Sequence, residues 1–477
     1  MMSAIVLLHR WLGIAFCLLF AMWFATGMVM HFVPFPSLTE AERFAGLAPL
    51  DGTRVPIAPQ DAVKASGIDD TVRIRLIQRS DGPVYIVAGR SLTTSISATD
   101  GSIAEAKSPR VALAETEQHA RNRGIDCTNA SSIDLADYDQ WSVPNGFDRY
   151  RPLFHVALGD AAGTEVYVAS NTGEIVLDTT RRERSWNFAG SVAHWIYPTV
   201  LRRDWALWDR VVWTLSLLAA IASALGAVLG IARIKVSDGR LDLPYRGWHA
   251  LHHVIGLTSM VFVLTWIVSG WLSMDHGRLF SRGQLSPAEA ALVSPSPSWN
   301  ALSSISWEPI SPSAREIEWF PFNGRFYRRD RIAVDRQMLF RPGDTAPNDR
   351  SGFLSRSEIE GLAQHLAMGC GIPSVVPATD DYLVLPTIPG APVYRSICGD
   401  VWFDIDGASG MVLQRLDSSR RAYRWLYSAL HTMDFPILVS HPSIRTILII
   451  SLCSCGLIFS ITGIVIGWRR IGTKLTR

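Results

Sequence analysis

The chain has 477 residues, of which 48% are hydrophobic and only 18% are charged. That length exceeds a single ordinary core, and a net charge of +2 gives no excess of cations for binding nucleic acid. The apolar residues are concentrated in four long runs, at residues 4–33, 210–232, 250–274 and 444–468. Each run reaches the roughly 20 residues needed to cross a bilayer, so the sequence predicts an integral membrane protein in contact with lipid.

The first run is predicted to be an uncleaved anchor. Its apolar core extends beyond the roughly 7–15 residues of a secretory signal. The chain then continues as MHFVPFPS, without a small-x-small cleavage site. The run LLHRWLGIAFCLLFAMWFATGMVMHF carries a histidine near each end, which raises the question of what those side chains bind.

Lys and Arg in short loops predict the orientation of the spans. The loop 233–248 and the tail 469–477 each carry four cations: Arg233, Lys235, Arg240 and Arg246, then Arg469, Arg470, Lys474 and Arg477. Both termini are therefore expected in the cytoplasm, with spans at 1–33, 210–232, 249–275 and 442–468. The segments 34–209 and 276–441 are then expected outside.

Cysteine positions agree with this layout. Cys370 and Cys398 share the second external segment and could pair in an oxidising compartment. The other four lie within spans (Cys17, Cys453 and Cys455) or stand alone in the first external segment (Cys127). There is no CxxCH haem-attachment motif and no CxxC pair, so c-type haem and thioredoxin-like chemistry are unsupported.

An internal repeat relates the two halves of the chain. LHRWLGIAFCLLFAMWFATG at 8–27 aligns with LHHVIGLTSMVFVLTWIVSG at 251–270, which pairs His9 with His252 and Trp23 with Trp266. WNFAGSVAHWIYP and YRWLYSALHTMDFP, before the second and fourth spans, pair His194 with His431. Parallel repeats of this kind are related by a pseudo-twofold axis along the membrane normal. The expected fold is a four-helix transmembrane bundle built from a twofold repeat.

The two external segments are expected to form α+β domains. VRIRLIQ, PVYIVAG, TEVYVAS and GEIVLDT alternate like paired strands in the first segment, as do GRFYRRDRIAV and DVWFDIDGASGMVLQRL in the second. PIAPQDAVKASG and SRSEIEGLAQHLAMG have the pattern of short amphipathic helices. The stretch 285–312 is rich in Ser and Pro and is expected to be irregular.

These motifs resemble the PepSY-associated transmembrane family over nearly the whole chain. The resemblance is carried by HRWLG…TG in the first span, by a Leu-His segment before an even-numbered span, and by hairpins that end in TGE-I-V. It implies a bacterial inner-membrane protein with two PepSY-like external domains. Family members include haem-containing ferric-siderophore reductases of iron uptake, and others without an assigned function.

Histidines at the cytoplasmic boundary are the first candidate cofactor ligands. If the repeat holds, His9 and His252 face each other, and two neutral imidazoles can supply both axial ligands of a b-type haem. His249 and His253 share a helix face with His252 and are alternatives. The competing interpretation is that these histidines face headgroups or water at the interface.

The outer boundary holds two candidate pairs for a second haem. His31 and His276 close the first and third spans, two residues out of phase in the repeat, while His194 and His431 precede the second and fourth. Either pair, or both, could bind haem iron or the ferric substrate. The alternative is a polar cap beside interfacial aromatic residues. Trp23 and Trp266, in mid-span, are expected to be packing residues rather than electron carriers. His119, His155 and His365 have no repeat partners and are expected to be structural or surface residues.

The resulting hypothesis is a transmembrane reductase with two b-type haems that delivers electrons to a periplasmic ferric siderophore. No flavin or nicotinamide fingerprint is present, so the donor is expected to be a quinol or a separate cytoplasmic protein. The substrate contacts are expected among aromatic and cationic residues of the external domains, namely Trp141, Arg149, Arg151, Tyr394 and Arg395. The main alternative is a non-redox PepSY membrane protein that binds or regulates envelope proteins. A small transporter ranks last because the spans contain almost no acids.

Overall fold

The computed structural model describes residues 2–237, 240–242, 244–293, 307–344, 352–366 and 370–475, with the single positions 299, 302 and 305. The chain forms two compact units. The bundle unit consists of Met1–Phe35, Glu183–Arg282 and Ser419–Arg477. The sheet unit consists of Pro36–Arg182 and Gly283–Ser418.

Helices occur in both units. In chain order they are α1 (Met2–Phe32), α2 (Glu40–Gly46), α3 (Pro59–Ser66), α4 (Pro109–Arg123), α5 (Arg181–Asn187), α6 (Thr199–Arg202), α7 (Trp205–Ala232), α8 (Trp248–Ser273), α9 (Pro287–Val293), α10 (Arg356–Leu366), α11 (Ser418–Tyr423), α12 (Leu430–Thr432), α13 (Pro436–Val439) and α14 (Pro442–Leu475). Two π-helical turns, Phe188–Val192 and Arg424–Ala429, follow α5 and α11.

The strands belong mainly to the sheet unit. They are β1 (Arg73–Arg79), β2 (Gly82–Ala88), β3 (Thr93–Ser97), β4 (Ser131–Ala136), β5 (Leu153–Ala157), β6 (Glu165–Ala169), β7 (Ile175–Thr179), β8 (Lys235–Ser237), β9 (Arg240–Asp242), β10 (Glu316–Phe322), β11 (Arg325–Ala333), β12 (Arg336–Phe340), β13 (Ser374–Val375), β14 (Val393–Cys398), β15 (Val401–Asp406) and β16 (Val412–Leu416). The hairpin β8–β9 lies between α7 and α8.

Four of the described helices are long and apolar enough to cross a membrane: Met2–Phe32, Trp205–Ala232, Trp248–Ser273 and Pro442–Gly472. They pack as a bundle in which α1 contacts α7 and α14, and α8 contacts the same two neighbours. Apolar side chains such as Leu18, Val261 and Ile447 are nonetheless about two-thirds exposed, at 67%, 70% and 65%. An apolar surface of this kind suits lipid rather than water. The four predicted spans coincide with these four helices, and their length and apolar composition indicate a membrane protein.

The sheet unit is built around one six-stranded antiparallel sheet with the order β12-β11-β10-β1-β2-β3. Strands β1–β3 come from Pro36–Arg182, whereas β10–β12 come from Gly283–Ser418. The two segments meet where β1 pairs with β10, with Ile74 opposite Trp319. Both of these residues are fully buried in the apolar core on one face of the sheet. The two segments therefore share a sheet and a core.

The opposite face of this sheet carries buried ion pairs. Glu316 on β10 has no exposed surface and lies 2.8–3.3 Å from the guanidinium groups of Arg331, Arg43 and Arg75. Burial alone would raise the pKa of the Glu316 carboxyl, but these three cations hold it well below its usual range. A buried charge is tolerated only when it is paired in this way. The network links α2 to strands from both segments.

Each segment also forms a four-stranded antiparallel sheet covered by one helix. The order is β4-β5-β6-β7 under α4, and β13-β14-β15-β16 beside α10. Helix α4 is capped by Ser108, whose hydroxyl accepts from the backbone N–H of Arg110, and by Gly124, which adopts the left-handed conformation. After α2 and α3 in the first segment and α9 in the second, both segments run as three strands, one helix and four strands.

The secondary structure expected from the sequence is found in the sheet unit. Every predicted strand pattern coincides with a strand of β1, β2, β6, β7, β11, β15 or β16, and the two amphipathic patterns are α3 and α10. The sulfur atoms of Cys370 and Cys398 are bonded, as that pair's shared segment allowed. The stretch 285–312 was expected to be irregular, but its residues 287–293 form α9, and ten of its other residues lie outside the described part of the chain.

Candidate functional site

The two imidazoles of His194 and His431 lie together in the bundle unit, with ring centroids 6.3 Å apart. Nδ1 of His194 lies 2.9 Å from the Thr26 hydroxyl of α1. Nδ1 of His431 lies 3.2 Å from the Ser269 hydroxyl and 3.1 Å from the Trp266 carbonyl of α8. We call this pair the far pair, because it lies where α1 and α8 end. Burial first, and the neighbouring His431 second, lower the pKa of His194 to about 3, so the ring is neutral.

The far pair is held by chain segments that turn back against the bundle. Each histidine closely follows one of the π-helical turns. Two residues after each histidine, at Ile196 and Met433, the backbone adopts a positive φ of 50° and 53°. Side-chain-bearing residues rarely adopt this conformation, and its occurrence at equivalent places indicates that the surrounding structure imposes it. The Trp23 indole N–H also donates to the His194 carbonyl at 2.9 Å.

His9 and His252 form the near pair, where α1 and α8 begin. Nδ1 of His9 lies 3.1 Å from the Ala222 carbonyl of α7. Nδ1 of His252 lies 2.8 Å from the Thr462 hydroxyl of α14, and its ring stacks on Phe459 with centroids 4.6 Å apart. Each is thus fixed by the helix that follows its own span.

The hydrogen bonds fix which ring nitrogen carries the proton. Two of the four rings bind a carbonyl oxygen, which can only accept, so Nδ1 donates. The other two bind Thr26 and Thr462, whose hydroxyls already donate to helix carbonyls at 2.7 and 2.6 Å and therefore accept from Nδ1. In His9, His194, His252 and His431, Nε2 is then the unprotonated nitrogen. Within the described residues, no hydrogen bond to any of these Nε2 atoms is formed.

Each of these four imidazoles also lies against a glycine. A Cβ atom added to Gly226 would lie 2.8 Å from Cε1 of His9, and one added to Gly270 would lie 2.9 Å from Cε1 of His431. The other two contacts pair His194 with Gly27 at 3.6 Å and His252 with Gly463 at 3.7 Å. Glycine is thus the residue that leaves room for the ring, most strictly at Gly226 and Gly270.

The remaining candidate histidines form other hydrogen bonds or ring contacts. His31 binds the Thr446 hydroxyl through Nε2 at 2.8 Å. His253 donates Nε2–H to the Gly230 carbonyl at 3.0 Å. His276 binds the carboxylate of Asp209 through Nδ1 at 2.5 Å. His249 is exposed and lies beside the Tyr245 ring, with centroids 6.5 Å apart.

Aromatic side chains fill the bundle between the two pairs. Trp266 is 7% exposed and lies in the core beside Phe24 and Phe262, with ring centroids 6.1 and 5.8 Å away. Trp23 packs against the same core and anchors the His194 segment. Both tryptophans therefore have the packing role expected of them.

Several residues predicted to contact substrate have structural partners in the sheet unit. Arg395 is buried and forms ion pairs with Asp404 at 2.7 Å and Asp380 at 2.8 Å. Arg151 donates to the carbonyls of Ser142 and Pro144. His119 and His155, expected to be structural, are largely buried, while His365 is exposed on α10. In the described part of the chain, no group of three or more His, Cys, Asp and Glu is placed to hold a metal ion.

The contact residues around the four histidines were not predicted from the sequence, although a signal for them was present. The offset of 237 residues that relates His194 to His431 also relates Gly226 to Gly463 and Asp209 to Thr446. The offset of 243 residues that relates His9 to His252 relates Thr26 to Ser269. Equivalent positions in the two halves therefore make equivalent contacts with the histidines. Extending the repeat from the histidines to their neighbours would have found them.

The model of the PepSY-associated TM region matches residues 6–470. Comparison with curated proteins finds no match. The family match spans all four apolar helices and the sheet unit between them, which confirms the resemblance noted in the sequence. The chain belongs to the PepSY-associated transmembrane family.

Proposed function

We propose that this protein is a reductase of the bacterial inner membrane that binds two b-type haems and passes electrons across the bilayer to a periplasmic ferric siderophore. The observation that carries the proposal is that four histidines have the same hydrogen-bonding arrangement. His9, His252, His194 and His431 all hold Nδ1 in a hydrogen bond and leave the Nε2 lone pair without a partner in the described structure. This is the arrangement of a metal-binding imidazole fixed by a hydrogen bond from its other nitrogen.

In the far pair, His194 and His431 would together hold one haem through their Nε2 atoms. The observed separation between His194 and His431 is 6.3 Å. The adjoining Gly27 and Gly270 keep side chains away from both rings. The far pair would hold one haem and the near pair the other.

The chain's own residues position, bury and insulate these sites. The hydroxyls and carbonyls that accept from Nδ1 orient each ring and increase the basicity of Nε2. Seventeen residues separate His9 from Thr26 along α1, or about 26 Å at 1.5 Å per residue. The aromatic core around Phe24, Phe262 and Trp266 occupies this interval and excludes water. Bound haem would supply one-electron redox chemistry at each end.

The matching contacts in the two halves support the twofold repeat on which the site assignment rests. Both halves also share an order of a span, three strands, a helix, four strands, a π-helical turn with its histidine, and a second span, although α2 and α3 precede the strands in the first half and α9 precedes them in the second. His31 is not assigned as a ligand, because its Nε2 is already bonded to Thr446. His276 is not assigned either, because its partner His31 then offers no second imidazole with a free Nε2. Reduction would release iron because ferrous iron is held more weakly than ferric iron by hard oxygen donors.

The proposal is tested on the full-length protein purified from cells supplied with haem. We expect a red protein with the reduced-minus-oxidised spectrum of b-type haem and two haems per chain. His431→Gly and His9→Gly should each remove one haem, and added imidazole should restore it by filling the space of the missing ring.

The matched control is His441→Gly, because His441 is exposed and, among the described residues, its imidazole bonds to the neighbouring Ser440 and Ile437 of its own turn. It should keep both haems. A colourless wild-type protein would contradict the proposal and favour the non-redox alternative, in which the protein binds or regulates envelope proteins. Equal haem loss in the control would remove the ligand assignment.

A further inference from the structure

A histidine–carboxylate pair stands at the end of the bundle where α1 and α8 end. Nδ1 of His276 lies 2.5 Å from Oδ2 of Asp209, and the ring packs on Trp213 with centroids 4.7 Å apart. A carboxylate accepts only, so Nδ1 is the donor. Nε2 of His276 is left to exchange protons, and its side chain is 34% exposed.

Burying the carboxylate of Asp209 at this position costs free energy. It sits one turn inside α7, a helix that qualifies as a membrane span, and its side chain is only 7% exposed. Its second oxygen, Oδ1, is buried without a hydrogen-bond partner among the described residues. Ionisable residues in such positions are rare and usually functional. The predicted second span began at residue 210, which left Asp209 just outside it.

The other half of the molecule carries the same contact without the charge. The position equivalent to Asp209 in the fourth span is Thr446, and its hydroxyl binds His31 at 2.8 Å. A helix-end histidine held by the neighbouring span is therefore common to both halves. Only one of the two equivalent positions carries a carboxylate, since a hydroxyl holds His31 in the other half. Holding the histidine in place therefore does not by itself require a carboxylate.

We propose that His276 and Asp209 form a proton-donating pair that protonates the chelator as its iron is reduced. This deepens the function proposed above and rests on it. Asp209 is the positioning residue: its carboxylate accepts from Nδ1 and so orients His276. His276 delivers the proton from Nε2 to the substrate.

The step balances with the reductant already named. One electron, originating from a quinol or a cytoplasmic protein and carried through the bundle, reduces Fe(III) in the chelate to Fe(II). One iron–oxygen bond breaks, and the freed oxygen of the chelator takes the Nε2 proton of His276. The imidazole becomes neutral and regains a proton from water, with Nδ1 still bonded to Asp209. Protonation prevents the oxygen from binding iron again.

Other charged or titratable groups near this end of α8 are already engaged or exposed. The Asp275 carboxylate accepts from the backbone N–H of Phe280 at 3.0 Å. The Tyr423 hydroxyl donates to the Ser273 carbonyl at 3.3 Å. Arg210 follows Asp209 on α7 and is exposed. A change in pH response on removing the imidazole can therefore be assigned to the pair by comparing both of its members.

The test compares two oxidants on the pre-reduced, haem-loaded protein by stopped-flow absorbance. A ferric trihydroxamate needs both an electron and protons to release iron, whereas ferricyanide takes an electron without a proton. In His276→Gln and Asp209→Asn we expect oxidation by the trihydroxamate to slow about 100-fold, the lower bound for loss of a general acid. Oxidation by ferricyanide should stay unchanged, and the pH dependence of the trihydroxamate reaction should flatten.

The matched control is Thr446→Val, which alters the equivalent contact in the other half and should leave both reactions unchanged. Equal slowing with both oxidants, or no slowing with either, would overturn the inference while leaving the proposed function intact. Loss of haem in His276→Gln would also overturn it, since His276 would then be a ligand. A colourless wild-type protein would instead remove the proposed function and this inference with it.

Discussion

Gly226 on α7 makes a closer contact with a candidate haem ligand than any other glycine beside the four histidines. A Cβ atom at this position would lie 2.8 Å from Cε1 of His9, a distance that forces the ring to move. We therefore expect Gly226→Ala to displace Nε2 and weaken haem binding at the near pair. Disturbed ligand support of this kind typically costs about 10–100-fold in affinity. Haem content after dilution into haem-free detergent buffer measures the effect.

Gly13→Ala is the control for this substitution. Gly13 is also within a membrane-spanning helix, but a Cβ atom there would have no neighbour within 4 Å. Both changes add the same methyl group and the same preference for helix. Equal haem loss in the two variants would show that the Gly226–His9 contact has no part in binding.

Helix α4 carries two buried groups of opposite pH response, one turn apart. Burial is the main reason why the pKa of His119 is lowered to about 4 and that of Glu115 is raised to about 7. The neighbouring Arg123 also disfavours a charged His119, because its guanidinium donates to Nε2 at 3.2 Å. His119 thus stabilises the fold above its unfolded pKa of about 6.5. This contribution is lost as pH falls towards 4, since the unfolded chain binds the proton first.

His119→Gln should remove this dependence. The wild-type protein is expected to lose about 2 kcal/mol of unfolding free energy through this residue between pH 8 and pH 5. Glu115 acts in the opposite direction, since its contribution is present below about 4.5 and is lost as pH rises towards 7. Chemical unfolding followed by tryptophan fluorescence at both pH values measures the difference. His365→Gln, on an exposed site of α10, is the control, and an unchanged pH slope in His119→Gln would contradict the assignment.

Helices and strands could be predicted from the sequence where a single local pattern of residues determines them. The predicted bounds of the spans lie within a few residues of most helix ends, because an uninterrupted apolar run of this length is stable mainly within a bilayer. Strands such as β1 and β6 were found from their alternation. The start of α7 was missed by five residues, since Arg210 and Asp209 interrupt the apolar pattern although the helix continues through them.

The site was only partly predictable, because its contacts join distant parts of the chain. The histidines of the two pairs were identified through the repeat, which compares positions 237 or 243 residues apart. Which nitrogen each ring leaves without a partner depends on side chains of other helices, such as Thr446 for His31 and Asp209 for His276. No periodicity within one helix contains that information.

At the scale of the whole molecule, one strand pairing joins the two halves of the sheet unit. β1 and β10 are separated by more than 230 residues of sequence, yet they are neighbours at the centre of the six-stranded sheet. The Glu316 ion pairs cross the same boundary. Local alternation predicted both strands but could not predict their pairing, since either could have been an edge strand of its own segment. The sheet unit therefore folds from two segments that a pair of membrane spans separates along the chain.

If all four apolar helices cross the membrane, both termini lie on one side, and the segments 34–209 and 276–441 are expected on the other. The bonded Cys370 and Cys398 favour the oxidising side for the sheet unit, and Arg469 and Arg470 favour the cytoplasm for the tail. Green fluorescent protein fused after residue 477 should therefore fluoresce, whereas alkaline phosphatase fused there should be inactive. Denatured protein treated with a polyethylene-glycol maleimide should show four thiols, and six after reduction. Six thiols without reduction would remove the support from the disulfide. An active phosphatase would reverse the orientation and put the far pair on the cytoplasmic side, where a periplasmic chelate could not receive its electron.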